Sequence, residues 1–294
     1  MQLGGWQTCA MFGEGVVRVC ADPVVDLFVA ETAGPAERTV LVVHGGPDWD
    51  GSYLRQPLVE LGGECRVVLP DLRGCGRSTR GLADEQYSWD LVVADLLALL
   101  DARQVKTVDV VGFSTGGKIA QRVALAAPER VRRLVVASSN VVPVPPDAFD
   151  GWQERDRRHE AGARLANAEG VAGVELTRAW AWSSAPANVW RPDKLDEYLH
   201  RLEGVAFSGE WMRPYQAGLL STVLPDDAVD RLAALGIPIL LLHGRQDMTF
   251  PAALAEQAAK HIPSARAVVL EQAGHMAHID QPDQWIAAVR EFLA

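Results

Sequence analysis

The sequence contains only four cysteines in 294 residues, and they fit neither a metal-binding nor a disulfide-rich pattern. Cys9, Cys20, Cys65 and Cys75 form no C-x-x-C pair and have no histidine at zinc-ligand spacing. Scattered cysteines in a chain of this size are typical of reduced thiols rather than of a disulfide framework. The histidines form no H-x-x-x-H pair, and the glycines form no dinucleotide-binding fingerprint after a strand. We therefore expect no metal and no cofactor.

Long hydrophobic runs are also missing. The most apolar helix-like run, 91–100, is interrupted by Asp95 and is too short to cross a bilayer. The N-terminal stretch 1–6 lacks a basic region followed by an apolar segment, which is the pattern of a secretory leader. These features predict a soluble, cytoplasmic protein that has no membrane partner.

Basic residues are in the minority, with 28 Lys and Arg against 38 Asp and Glu and a net charge of −10. The overall field repels phosphate backbones, so we expect no nucleic-acid partner. Only four of the 28 bases are lysine, which together with the Ala and Val content is typical of a GC-rich bacterial genome. Because apolar residues make up 48% of the chain, a disordered protein is excluded.

Strand-like and helix-like segments alternate in the first half of the chain, which predicts the α/β class. Short β-branched runs that end in turn residues are typical of buried parallel strands. Helix-length segments with an apolar stripe separate them, so helices are expected on both faces of a parallel sheet. The predicted strands are 16–20, 24–30, 39–44, 66–69, 108–112 and 134–137, and the predicted helices are 53–61, 90–102 and 116–127.

The alternation breaks at the proline-rich segment 141–146, which can continue neither a helix nor a central strand. From there to about residue 222 the chain is helix-like, rich in charge and unusually rich in tryptophan. The strand–helix alternation then resumes, with strands at 237–243 and 265–270 and helices at 252–261 and 282–293. We predict one core domain, 1–140 and 223–294, with a helical lid inserted at 141–222.

The segment Gly112–Gly117 contains a G-x-S-x-G pattern between a predicted strand and a predicted helix. A tight, strained turn in this context exposes the serine hydroxyl, and the small flanking residues relieve crowding around it. The N-terminus of the following helix favours negative charge at the same place. Ser114 is therefore the candidate nucleophile.

A serine nucleophile needs a base to take its proton and an acid to orient that base. In this type of fold both are expected after later strands, the acid first and the histidine second. Asp247 follows the strand 237–243, and His275 follows the strand 265–270. The alternative role for Asp247 is that of a turn former or helix cap, whereas Asp226 and Asp227 are predicted to cap the helix that contains Val229.

The segment His44–Asp48 directly follows the strand-like run 39–43 and contains two glycines. Glycines allow backbone N–H groups to approach a reacting carbonyl closely. The N–H groups of Gly46 and Thr115 are therefore predicted to form a two-donor oxyanion hole. We assign His44 a structural role, as a buried histidine that holds this loop in place.

Five ordered motifs together resemble the α/β-hydrolase superfamily, over about residues 16–140 and 223–294. They are His44-Gly45-Gly46-Pro47, the run 71–78 (DLRGCGRS), the serine turn at 112–117, Gly244-x-x-Asp247 and Gly274-His275. The resemblance implies an eight-stranded, mostly parallel sheet flanked by helices, with a helical lid after the sixth strand. The first two motifs are most similar to the proline iminopeptidase-like branch.

The sequence departs from that branch at two places. Thr115 follows the nucleophile where the branch usually has tryptophan, and no glutamate directly follows the Trp180–Ser184 motif. Glu210, beside Trp211, is the substitute candidate for holding a substrate amine, although a solvated acid is the simpler interpretation. Large flat side chains over a pocket favour apolar or aromatic ligands, so Trp180, Trp182 and Trp211 are candidate substrate-binding residues.

The sequence thus predicts a cofactor-free serine hydrolase that cleaves a carboxylic ester or lactone of a medium-sized apolar molecule. Ser114, His275 and Asp247 would act as nucleophile, base and orienting acid. An aminopeptidase-like amide hydrolase and a carbon–carbon bond hydrolase are the alternative enzymes. A ligand receptor that keeps the fold without turnover is the alternative outside enzymes, and the oligomeric state is left open.

Overall fold

The computed structural model describes residues 11–166 and 172–294, in which eight strands form one sheet in the order β1-β2-β4-β3-β5-β6-β7-β8. The strands are β1 (Phe12–Ala21), β2 (Val24–Thr32), β3 (Thr39–Val43), β4 (Arg66–Pro70), β5 (Val108–Phe113), β6 (Val131–Ala137), β7 (Ile239–Gly244) and β8 (Ala265–Leu270). The N-terminal stretch 1–6 and Cys9, on which two of the predictions depend, lie outside the described residues.

The sheet is mostly parallel, as predicted. β1 pairs antiparallel with β2 and β2 with β4, whereas each of the other neighbouring pairs is parallel. Val43 lies opposite Gly112, and Phe113 lies opposite Ala137. The carboxyl ends of β3, β5 and β6 are therefore level, so the loops that follow these strands emerge side by side.

Helices cover both faces of the sheet and bury two separate apolar cores. The helices are α1 (Arg55–Leu58), α2 (Trp89–Ala102), α3 (Thr115–Ala126), α4 (Gln153–Ala166), α5 (Gly173–Ser183), α6 (Ala185–Asn188), α7 (Leu195–Glu203), α8 (Met212–Gln216), α9 (Ala228–Leu235), α10 (Ala252–His261), α11 (Ala277–Asp280) and α12 (Pro282–Leu293). One core lies against α2, α3, α9 and α10, and the other lies against α1, α7, α11 and α12.

The helices α4 to α8 lie between β6 and β7, within the segment predicted as a lid. The exact division into a core and a lid at residues 141 and 222 stays a prediction. Within the part of the chain that the structure describes, no helix is both long enough and apolar enough to cross a membrane.

Two local predictions were wrong. The helix predicted at 53–61 is a series of three short turns, because Gln56, which precedes Pro57, has extended backbone angles (φ −103°, ψ 129°). Asp227 directly precedes α9 but adopts a left-handed conformation (φ 50°), and its side chain makes no capping hydrogen bond. At both positions, the backbone conformation determines the local structure and overrides the helix-like sequence pattern.

The run 71–78 folds as a loop that is held by buried polar contacts. Arg73 and Asp95 form a two-pronged ion pair with both N–O distances at 2.6 Å, and Arg73 also donates to the carbonyl of Gln86. The Asp71 carboxylate accepts hydrogen bonds from the backbone N–H groups of Gly51 and Arg77. The charged residues of this motif therefore fix the loop beside β4.

Replacing Asp95 by alanine should lower the free energy of unfolding by about 3–5 kcal/mol, because the Arg73 guanidinium would remain buried without its counter-charge. Urea denaturation measures the change. The matched control is Glu291→Ala, which breaks a solvent-exposed pair with Arg266 and should cost less than about 1 kcal/mol. An Asp95→Ala effect as small as that of the control would contradict the structural role given to this pair.

Candidate active site

Ser114 occupies a sharp turn between β5 and α3. Its backbone is left-handed (φ 55°, ψ −124°), a strained conformation for a residue with a side chain. The Ser114 N–H donates to the Ala137 carbonyl at 2.9 Å, and the Ser114 carbonyl accepts from the Gly117 N–H at 2.9 Å. These bonds hold the turn so that the hydroxyl projects from the carboxyl edge of the sheet.

The glycines on either side of Ser114 are required by close backbone contacts. A Cβ atom on Gly116 would lie 2.1 Å from the Val43 carbonyl oxygen, because α3 begins directly against the end of β3. A Cβ atom on Gly112 would lie 2.3 Å from the Gly116 carbonyl oxygen. Both distances are far below van der Waals contact, which explains the G-x-S-x-G spacing in this chain.

Ser114, His275 and Asp247 form a continuous series of contacts. The Oγ of Ser114 lies 3.2 Å from Nε2 of His275, and Nδ1 of the same ring lies 3.1 Å from Oδ2 of Asp247. The His275 and Asp247 side chains are almost completely buried. The three residues follow β5, β8 and β7, so the parallel sheet brings together groups that lie far apart in the sequence.

Asp247 is held by its second oxygen as well. Its Oδ1 accepts the backbone N–H groups of Thr249 at 2.8 Å and Phe250 at 2.9 Å. Burial acts to raise the pKa of Asp247, but the attraction of His275 and His243 and the hydrogen bonds to the carboxylate hold that pKa below its ordinary value. Asp247 therefore fits both roles considered for it, because one carboxylate oxygen holds the turn and the other faces His275.

Asp280 holds the loop that carries His275, and the sequence reasoning missed it. Its carboxylate accepts backbone N–H groups from Gly274 at 2.7 Å and from Trp190 and Arg191 at 2.9 Å. This buried side chain joins the segment after α6 to the residue directly before His275. The only sequence signal was its position, five residues after His275 in an apolar stretch.

The predicted oxyanion-hole residues, Gly46 and Thr115, lie close to the Ser114 turn. Gly46 has a φ of +116°, and a Cβ atom on the neighbouring Gly45 would lie 3.0 Å from the Ser114 Cβ. Thr115 is the first residue of α3, and it shares with Gly46 the lining of a small hollow that Ser114 does not border. Among residues 11–166 and 172–294, neither N–H donates to another protein group. Their role as the two donors of an oxyanion hole stays a prediction.

The loop before Gly46 is fixed by His44 and Tyr53. His44 Nε2 accepts the Leu72 N–H at 3.0 Å, which leaves Nδ1 to donate to the Gly45 carbonyl at 2.6 Å. The hydroxyl of Tyr53 accepts the Gly45 N–H at 2.9 Å. His44 is completely buried, as expected for a structural histidine.

Within the described ranges, no other histidine forms a hydrogen bond with Ser114. His243 is buried in β7 and His278 in α11, and burial lowers the pKa of both imidazoles. His261 ends α10 at the surface, and His200 is exposed on α7. His275 is the histidine that reaches the nucleophile.

A cavity of about 330 Å³, the Ser114 cavity, opens above Ser114 and His275. Gly46, Trp49 and Trp180 line it, and Trp180 is 47% exposed. No Arg or Lys is found among its lining residues in the described part of the chain. The walls of the cavity are mixed, since Tyr53, Asn188 and Thr249 also line it, and its described lining includes neither Arg nor Lys.

The three candidate tryptophans have different surroundings. Trp180 lines the Ser114 cavity, whereas the ring of Trp182 packs against Phe207 with centroids 5.7 Å apart. Trp211 is buried, stacks on Trp89 at 4.5 Å and donates its Nε1 hydrogen to the Arg73 carbonyl. Of the three, Trp180 alone borders the Ser114 cavity.

Glu210 points away from the Ser114 cavity. Its Oε2 accepts the Tyr87 hydroxyl at 2.5 Å and the Gly81 N–H at 2.9 Å, and it lies 3.5 Å from an Arg213 nitrogen. The carboxylate thus already has two donors and a neighbouring guanidinium. Over the described ranges, no three or more His, Cys, Asp or Glu side chains are grouped so that they could hold a metal ion.

Comparison with known proteins identifies related chains along nearly the whole length. A family model described as alpha/beta hydrolase fold matches residues 38–282. The chain is 30% identical over 277 residues to 2-hydroxymuconate semialdehyde hydrolase from Pseudomonas putida, covering 86% of each protein. It is 29% identical over 287 residues to rhodomycin D methylesterase from Streptomyces peucetius, covering 88% of this chain and 91% of the relative. Among solved structures, a proline iminopeptidase-related protein from Thermus thermophilus superposes with a TM-score of 0.71 at 23% identity, covering 96% of this chain and 97% of that one.

Proposed function

The chain belongs to the alpha/beta hydrolase fold family, and we propose that it is a serine hydrolase that cleaves a carboxylic ester or lactone of an uncharged apolar molecule. The observation that carries the proposal is the series Ser114–His275–Asp247, in which each contact is 3.1–3.2 Å long. These three groups match the nucleophile, base and orienting acid of acyl transfer. Relatives that include a methylesterase support the reaction class.

In the proposed reaction, Ser114 Oγ attacks the carbonyl carbon while Nε2 of His275 takes the hydroxyl proton. The N–H groups of Gly46 and Thr115 donate to the oxygen that becomes negative. The tetrahedral species then collapses, and His275 gives its proton to the departing alcohol. Water repeats the sequence on the acyl-serine, which releases the carboxylic acid and restores the hydroxyl of Ser114.

Asp247 acts through His275 and does not take the proton. Its ionised Oδ2 accepts from Nδ1–H, so the lone pair of the imidazole stays on Nε2 and faces Ser114. The negative charge also stabilises the imidazolium that forms when Ser114 loses its proton. The low pKa of Asp247 suits this role, because the carboxylate remains ionised throughout.

An uncharged ester is favoured over a substrate with a free amine. A desolvated ammonium group needs a matching carboxylate, because burying an unpaired charge is costly. The candidate for that task, Glu210, is occupied by Tyr87 and Gly81 and does not line the Ser114 cavity. Thr115 also replaces the tryptophan that is usual in the aminopeptidase-like branch.

The experiment measures kcat/KM for an acyl ester and an aminoacyl β-naphthylamide of similar size. We expect the ester to be hydrolysed faster, and Glu210→Gln to change ester turnover by less than about tenfold, or about 1.4 kcal/mol. Glutamine keeps an acceptor for Tyr87 and Gly81, so the local structure is retained. A strong preference for the free amine that disappears in Glu210→Gln would assign the chain to aminopeptidase chemistry.

Carbon–carbon bond hydrolysis is the second candidate, and the 30% identity to 2-hydroxymuconate semialdehyde hydrolase supports it. A muconate-type substrate carries a carboxylate, which needs a positive partner when it is desolvated. None of the described residues that line the Ser114 cavity is Arg or Lys. An uncharged ester therefore fits the described lining of this cavity better than a carboxylate-bearing substrate does.

A further inference from the structure

A second cavity of about 300 Å³, the tryptophan cavity, lies next to the Ser114 cavity. The two cavities share the side chains of Pro47, Trp49 and Trp180, so they lie on either side of these residues. The mechanism proposed above uses only the first cavity. Trp180 comes from α5, and about half of its surface is exposed.

The tryptophan cavity is built mainly from aromatic and aliphatic side chains. Trp180, Trp211 and Tyr215 line it together with Met212. An apolar cavity of about 150 Å³ holds a benzene molecule, so about twice that volume accommodates two fused rings. Burial of that much apolar surface is the main source of affinity at such a site.

Asp48 contributes the charged side chain to this lining, and its carboxylate has a structural task. Oδ1 accepts the Ser208 hydroxyl at 2.8 Å and the Trp211 N–H at 3.0 Å, which ties the loop after β3 to the segment before α8. Asp48 is 2% exposed. Oδ1 is thus engaged within the protein, and most of the remaining lining of the cavity is apolar.

We propose that the tryptophan cavity is the subsite for one arm of the substrate, an uncharged apolar group of about two fused rings. The ester carbonyl lies at Ser114, the arm extends past Trp180, and Trp180 is the specificity-determining residue between the two cavities. The proposal rests on the proposed ester hydrolysis and adds the substrate class to it.

The test compares kcat/KM for small and large esters. Methyl acetate is the small reference, methyl 2-naphthylacetate carries the arm on the acyl side, and 2-naphthylmethyl acetate carries it on the alcohol side with an alkyl alcohol as leaving group, as in methyl acetate. An advantage of at least about tenfold in kcat/KM for either naphthyl ester over methyl acetate supports the arm subsite. Equal values for methyl acetate and both naphthyl esters would overturn it.

Two variants examine the cavity and one serves as control. Met212→Trp fills the tryptophan cavity without touching the Ser114 cavity, because Met212 lines only the former. It should lower the ratio of kcat/KM for the large ester over methyl acetate by about tenfold. Trp180→Ala should also weaken the selection by arm size. The control is Trp182→Ala, on the same helix as Trp180 but bordering neither cavity. It should leave the preference for the large ester unchanged. Equal effects of Trp182→Ala and Met212→Trp on that preference would overturn the proposal.

Binding without turnover separates this proposal from the proposed function. 2-Acetylnaphthalene has the arm and a carbonyl but no leaving group, and calorimetry measures its affinity for the wild type and for Met212→Trp. Binding that Met212→Trp abolishes supports the subsite even if no ester is hydrolysed. If esters are hydrolysed but this ketone does not bind, the proposed serine hydrolase is supported and the proposed arm subsite is overturned.

A shape-matched pair of esters tests whether the arm is uncharged. Acetylcholine and 3,3-dimethylbutyl acetate have nearly the same shape but differ by one positive charge. We expect the carbon ester to be hydrolysed with the higher kcat/KM. Preference for the ammonium ester would overturn the uncharged arm, since an aromatic cavity that contains Asp48 would then be selecting a cation.

Discussion

Ser114→Ala is expected to lower kcat by 10⁴-fold or more, to about the level left by binding and oxyanion stabilisation alone. Alanine removes the attacking oxygen and nothing else. The hydrogen bonds that hold the turn come from the backbone N–H and carbonyl of residue 114, so the variant keeps them. Turnover of an activated ester and the melting temperature are measured together, and only the first should change greatly.

The matched control is Ser138→Ala. Ser138 follows β6 and also has a left-handed backbone (φ 44°), but its side chain is completely buried and does not contact His275. A fluorophosphonate probe should label the wild type and Ser138→Ala but not Ser114→Ala. Near-normal turnover in Ser114→Ala would refute the serine mechanism, and a wild type that neither reacts with the probe nor turns over esters would favour a ligand receptor.

The parts of the site that the sequence predicted are those with a local cause. Ser114 could be found because the close approach of Gly112 and Gly116 to backbone atoms demands glycine at those positions. His275 and Asp247 could be found because each follows a strand, and the ends of parallel strands meet at one edge. The strands themselves have β-branched runs that remain visible without any knowledge of their neighbours.

The parts that the sequence did not predict depend on contacts between distant segments. Asp280 serves the site through backbone N–H groups of Trp190 and Arg191, which lie far away in the chain. Glu210 likewise accepts a hydrogen bond from Tyr87, which is distant in the sequence. The sequence around Glu210 therefore does not reveal that its carboxylate is already hydrogen-bonded. The tryptophan cavity likewise forms where α5, α8 and the loop after β3 come together. Such sites require the tertiary fold, because residue type alone does not reveal the partner.

Asp247→Asn is the second change with a large expected effect, a loss of about 10⁴ in kcat with the fold and substrate binding retained. The backbone explains why this substitution is so informative. Thr249 and Phe250 both direct N–H groups at Oδ1, so the asparagine carbonyl oxygen is expected to occupy that position. The amide NH₂ then faces Nδ1 of His275 and donates to it.

An imidazole that accepts at Nδ1 carries its hydrogen on Nε2, and that nitrogen faces Ser114 with a donor instead of a lone pair. The base then cannot take the serine proton, although no atom of the nucleophile has moved. Asp226→Asn, an exposed change two residues before α9, is the control and should leave kcat unchanged. Steady-state kinetics on the two variants decides between the carboxylates: a large loss in Asp226→Asn with a nearly silent Asp247→Asn would show that the acid acting on His275 is not Asp247.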